Sequence, residues 1–200
     1  MSQSVESAAN NSSAEARGGA DALDRIAAGL YGMASMLVGA GEAGAELVET
    51  AVATAELTPG SGEAAAQQAA RRALAKAAIA LLAQRAPGSL DAPADADFPA
   101  SCIGDDELDA AGDTGAEVER MLSGPDRGRV RTWLESLPVE QRVIFVLRAV
   151  GGFSPGETAA LLAAHGGAGA AGWMAEPVRE VFRQALCSLA SQLLHEANTH

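Results

Sequence analysis

Arg179 and Arg183 stand four residues apart in a segment where Val178, Val181, Phe182, Ala185, Leu186, Leu189 and Leu193 recur at helical spacing. Residues four apart share one helix face, so both guanidinium groups, with Gln184 beside them, fall off the apolar stripe. Guanidinium forks suit phosphate oxygens and guanine edges, and an amide suits adenine. Glu176 and Glu180 lie in the same segment and partly cancel that charge. A second group, Glu42, Glu46 and Glu49, is spaced by four and then three, which makes one negative helix face suited to a basic helical surface. Either pattern alone also describes an ordinary solvated face, so the neighbouring sequence decides its meaning.

Other chemistry finds little support. His165, His195 and His200 are scattered, with no cysteine or carboxylate at ligand spacing. Cys102 and Cys187 lie far apart with no second cysteine near either, and a reducing cytoplasm is the simplest setting. There is no serine nucleophile elbow and no phosphate loop ending in Gly-Lys-Ser/Thr. Gly167, Gly169 and Gly172 fit the spacing of a dinucleotide-binding turn, but that turn follows a strand and opens a helix directly. Here a helical pattern precedes it and Pro177 delays the next helix, so the segment reads as a flexible inserted turn. We expect no catalytic residue, no metal ligand set, no cofactor and no enzyme activity.

The elements that must carry these residues are all helical. Hydrophobic residues make up 48% of the 200, yet only 4% are aromatic, and the alanine excess favours thin helices over strands. A polar tail is expected over 1–20, with no apolar core of a signal peptide. Ile26, Leu30, Met33, Ala34 and Leu37 mark a first helix that ends at Gly39 and Gly41. Leu47, Val48, Ala51, Val52 and Ala55 mark a second, broken by Pro59 and its glycines. Ala70, Leu74, Ala77, Ala78 and Leu81 mark a third, with Arg71, Arg72 and Lys76 off its stripe.

Charge then divides the chain. The net charge is −12, which disfavours non-specific nucleic-acid binding by the whole surface. Residues 86–125 hold ten acidic side chains and one basic, whereas 126–200 hold seven of each. Pro87, Pro93, Pro99 and the run Asp105, Asp106, Glu107, Asp109 make 86–125 an expected mobile linker, with a short helix near 117–122. Beyond it, Val130, Trp133, Leu134 and Leu137 predict one helix, and Val143, Ile144, Leu147 and Val150 another, opened by Pro138. Ser154-Pro155-Gly156-Glu157 is a capping box with proline at the first helical position, starting a helix with Ala160, Leu161 and Leu162. Pro177 opens the last. The expected domains are a tail, 1–20; a helical domain, 21–85; an acidic linker, 86–125; and a helix-turn-helix bundle, 126–200. No run of about 18 apolar residues predicts a membrane span.

Two stretches resemble sigma factors of the sigma-70 superfamily, extracytoplasmic-function type. Residues 30–55, LYGMASMLVGAGEAGAELVETAVATA, are similar to that family's core-binding helix pair. Residues 137–162, LPVEQRVIFVLRAVGGFSPGETAALL, resemble the opening of its promoter-binding domain, and 177–189, PVREVFRQALCSL, its recognition helix. The resemblance implies a cytoplasmic protein with RNA polymerase core as a partner, met through Glu42, Glu46 and Glu49. It also implies promoter DNA, read through Arg179, Arg183 and Gln184, and an anti-sigma factor as a further partner. The chain departs from the family in having no aromatic residue between Tyr31 and Phe98, so that segment offers no platform on which an opened base could stack. The stretch 163–176 is also longer than the usual helix-turn-helix turn. The alternative is a degenerate sigma paralogue that works as a protein-interaction module without reading DNA.

Overall fold

The computed structural model describes residues 26–56, 62–93, 102 and 127–197. These residues are helices and short connections, with no strand among them, so the fold is all-α. The expected tail over 1–20 and the short helix near 117–122 lie outside the described residues.

Helix α1 covers residues 26–38 and buries Leu30, Met33, Ala34 and Leu37, as their spacing predicts. It ends where Gly39 and Gly41 take φ of +94° and +101°, a left-handed backbone that costs a side chain energy and glycine none. The Tyr31 hydroxyl accepts from the Gly41 N–H at 3.2 Å and steadies the turn into α2, Glu42–Thr54. The buried row of α2 is Gly44, Leu47 and Ala51. Val52, expected on that face, is 58% exposed, because it follows Ala51 by about 100° of helix rotation.

Helix α3, Glu63–Arg85, packs against α2. Its buried set is Ala70, Ala73, Leu74, Ala75, Ala78, Ile79 and Leu82, broader than the single stripe expected, while Ala77 and Leu81 are only half-buried. The breadth has a plain cause: a helix of the C-terminal half packs on α3 as well. Alanine makes this possible, since small side chains let helix axes approach closely.

The turn that follows corrects one expectation. Residues 86–93 do not leave the fold as the start of a loose linker. Leu90 is fully buried, Trp173 Nε1 donates to the Leu90 carbonyl at 2.8 Å, and the Ala92 N–H donates to the Gly169 carbonyl at 3.0 Å. One large apolar side chain and two hydrogen bonds outweigh the local proline and polar composition.

The C-terminal half contains α4 (Arg127–Ser136), α5 (Val139–Ala149), α6 (Pro155–His165), a 3-10 helix (Ala168–Gly172) and α7 (Ala175–Ala197). In α5 the whole run Val143, Ile144, Phe145, Val146 and Leu147 is buried, because α3, α6 and α7 all touch it. Phe145 meets Trp133 edge-on with centroids 4.9 Å apart and lies 5.9 Å from Phe182. In α6 the buried residues are Thr158, Ala159, Leu161 and Leu162, whereas Ala160 faces outward. Buried residues of α1–α3 and of α4–α7 form one continuous apolar cluster.

The cysteines correct a second expectation. Their spacing carries no pairing signal, yet the fold joins Cys102 to Cys187 in a disulfide with Cα atoms 5.9 Å apart. The partners are 85 residues apart, so no local pattern announces them.

Candidate nucleic-acid interface

The residues that could meet an anion lie on α7, which begins at Ala175, two residues ahead of the expected start at Pro177. One side of α7 is sunk into the core through Val178, Val181, Phe182, Ala185 and Leu189. Two neighbours fix its rotation. Arg148 of α5 donates to the Phe153 carbonyl at 2.6 Å while its guanidinium lies 5.2 Å from the Phe182 ring centroid. Trp133 of α4 donates its indole N–H to Ser188 Oγ at 3.1 Å.

Arg179, Arg183 and Gln184 are all half-buried on the remaining surface of α7. Arg183 donates through Nη1 to Glu180 Oε2 at 2.7 Å, and both side chains are only 13% exposed. Sequence reasoning gives Glu180 one effect, repulsion of an approaching phosphate. The geometry adds another: Glu180 holds the Arg183 guanidinium, so an anion reaching Arg183 must share it with a carboxylate. Cys187 stands four residues beyond Arg183 in the same row, with Cys102 bonded to it.

Helix α6 packs against α7, and its start is fixed by its own capping residues. Ser154 Oγ accepts from the Glu157 N–H at 3.2 Å, and Glu157 Oε2 accepts from the Ser154 N–H at 3.0 Å, completing the expected capping box. Arg72 of α3 adds a 2.6 Å hydrogen bond to Glu157 Oε1 and lies over the Phe153 ring. Hydrogen bonds from Ser154, first backbone and then side chain, hold the Glu157 carboxyl below the usual glutamate range, and Arg72 adds to the effect.

Residues 166–174 connect α6 to α7. The glycine-rich part, read from sequence as a flexible insert, is instead wound into the 3-10 helix, with Ala170 and Trp173 buried. Gly166 and Gly169 sit in tight space, whereas Gly167 has open space but a φ of +98°. A Cβ on Gly166 would lie 2.7 Å from both the Ala170 Cβ and the Leu162 carbonyl oxygen, and one on Gly169 would collide with the Asp91 carboxylate.

The acidic candidates occupy a different element. Glu42, Glu46 and Glu49 are all exposed on the outer side of α2. Gly44 between them faces inward, where an added Cβ would sit 3.1 Å from the Gly39 carbonyl oxygen and 3.5 Å from the Tyr31 ring. The backbone of the acidic helix can thus lie close to α1.

Sequence reasoning missed the Arg72–Glu157 bridge, the disulfide and the Leu90–Trp173 contact. The first two join residues 85 apart and had no local signal. Trp173 did carry one, since a tryptophan among glycines and alanines needs a large apolar surface to cover it. Among the described residues, no three His, Cys, Asp or Glu side chains gather as a metal site would require, and no helix is long and apolar enough to cross a membrane. No protein-family model, curated protein or solved structure matches the chain.

Proposed function

We propose that this chain is a sigma-factor-like protein of transcription initiation. It binds RNA polymerase core through Glu42, Glu46 and Glu49 on α2 and promoter DNA through Arg179, Arg183 and Gln184 on α7. The reading assigns a cytoplasmic setting and an anti-sigma factor as a further partner. The observation that carries it is the α6–α7 pair: a capped short helix packed on a longer one whose outward surface holds two arginines and a glutamine. A helix that enters the major groove contacts bases with its N-terminal part, and Arg179 and Arg183 both lie in the first half of α7.

A second reading, an interaction module without DNA recognition, is favoured by the Glu180–Arg183 pair, which sets a carboxylate against Arg183. Titration of the full chain against a promoter library at low salt separates the two. Under the first reading, Arg179→Ala costs about 1–3 kcal/mol if it reads a base, or lowers the salt slope by about one if it holds a phosphate. Glu180→Gln tightens binding, because it removes a negative charge beside Arg183. Equal binding by wild type and an Arg179→Ala/Arg183→Ala double variant, or binding by neither, leaves the second reading in front.

A further inference from the structure

We infer that Met174 is a specificity-determining residue of the α7 surface, and that it packs its thioether side chain on the C5-methyl group of a thymine in the major groove. The inference rests on the DNA-reading proposal above and deepens it. Arg179, Arg183 and Gln184 offer hydrogen bonds to base edges and phosphates, and they leave the apolar part of a base edge unread.

Three observations support it. The first is exposure. Met174 is 66% exposed, more than Val52 at 58% or Tyr31 at 41%, the other large apolar side chains that stand in solvent among the described residues. Tyr31 has an internal task, since its hydroxyl accepts from the Gly41 N–H. Met174 lies outside the continuous apolar cluster that joins α1–α7.

The second is place. Met174 stands immediately ahead of α7, which starts at Ala175, and five residues before Arg179. The N-terminal part of a groove-entering helix is the part that meets base edges. An apolar side chain offers nothing to a phosphate. Among the base edges of the major groove, the thymine methyl is the apolar group. Exposed Glu176, two residues on, places a negative charge that disfavours a phosphate there and leaves an uncharged base edge as the occupant.

The third is presentation. The backbone is pinned on both sides of Met174. Trp173 is buried, its indole N–H donates to the Leu90 carbonyl at 2.8 Å, and its backbone N–H donates to the Ala170 carbonyl at 3.1 Å. The Met174 carbonyl accepts from the Val178 N–H at 3.3 Å. The side chain therefore leaves the fold from a fixed point, and docking has little backbone to order. Ala171, Gly172 and Ala175 around it are exposed and small, so they leave room for a base edge.

The test uses the full chain. Selection from a promoter library at low salt gives a preferred site, and each thymine of that site is then replaced in turn by deoxyuridine. The exchange deletes the methyl group and keeps the hydrogen-bonding groups. At one thymine the wild-type chain should lose roughly fourfold in affinity, the worth of about one buried methylene. Met174→Ala should be indifferent to the exchange at that position, whereas Met174→Leu, which keeps an apolar side chain, should remain sensitive. Met174 is exposed, so both variants should melt at the wild-type temperature. Unchanged wild-type affinity after every deoxyuridine exchange, or equal losses in the wild type and Met174→Ala, overturns the assignment and leaves DNA reading by α7 standing. A chain that selects no site overturns the DNA reading and this inference with it.

Discussion

The Arg72 guanidinium on α3 donates to the Glu157 carboxylate at the start of α6 over 2.6 Å, across 85 positions of chain. The same carboxylate caps α6, so the helix that supports α7 is fixed at its first turn from within and from α3. Both side chains are about 40% exposed, 42% for Arg72 and 39% for Glu157, and such a bridge contributes only about 0–1 kcal/mol. The cap matters more: Ser154→Ala should cost about 0.5–2 kcal/mol in chemical denaturation.

The lowered Glu157 pKa fixes the sign of a pH effect. As pH falls, the unfolded chain takes up the proton first. The stabilisation is complete above the usual glutamate range and drains away as pH falls through it toward the lowered value. Melting followed from pH ~7 to ~3 should show Glu157→Gln losing less stability on acidification than wild type. Identical acid dependence would remove Glu157 from the account.

Phe182 is 1% exposed between Phe145 and the Arg148 guanidinium. Phe182→Ala should cost about 3–5 kcal/mol, read as a lowered thermal midpoint of the full chain. An unchanged midpoint would place the ring outside the core.

Gly166→Ala probes the close approach at the end of α6. The new methyl would meet a backbone carbonyl at 2.7 Å, and a carbonyl cannot step aside as a long side chain can. We expect a loss of about 1–3 kcal/mol in denaturant titration. Free accommodation would mean that the 3-10 helix shifts at little cost.

Trp173→Phe keeps a ring in place and deletes the donor to the Leu90 carbonyl. Leaving that buried carbonyl unpaired should cost about 1–3 kcal/mol. Hydrogen exchange at residues 89–92 should quicken, and unaltered exchange would show that Leu90 burial alone holds the turn.

Much of the fold was legible because it is locally encoded. Alanine-rich periodicity announced α2 and α3, and the Ser154 capping box announced α6 to the residue. What was not legible depends on contacts between distant segments. Leu90 looked like one apolar residue in an acidic, proline-broken stretch, and only the Trp173 indole and the Gly169 carbonyl make it part of the core. The α5 stripe widened for the same reason, since helices on several sides cover it. At the candidate interface, helical spacing put Arg179 and Arg183 on one face, but the 2.7 Å capture of Arg183 by Glu180 depends on rotamers and burial that spacing does not specify.

The central claim is that the chain docks on RNA polymerase core through the exposed carboxylates of α2, and a pull-down with purified core enzyme tests it directly. The full chain should retain the core enzyme at physiological salt and lose it as salt rises, because screening weakens exposed ion pairs. Glu42→Lys/Glu46→Lys/Glu49→Lys should abolish capture while the chain stays folded, since all three side chains are exposed, with only a small drop in melting because Glu42 lies in the first turn of α2. Capture by the wild-type chain that survives this triple reversal would contradict the assignment of α2, and no capture by the wild-type chain at any salt would contradict the sigma-like reading itself.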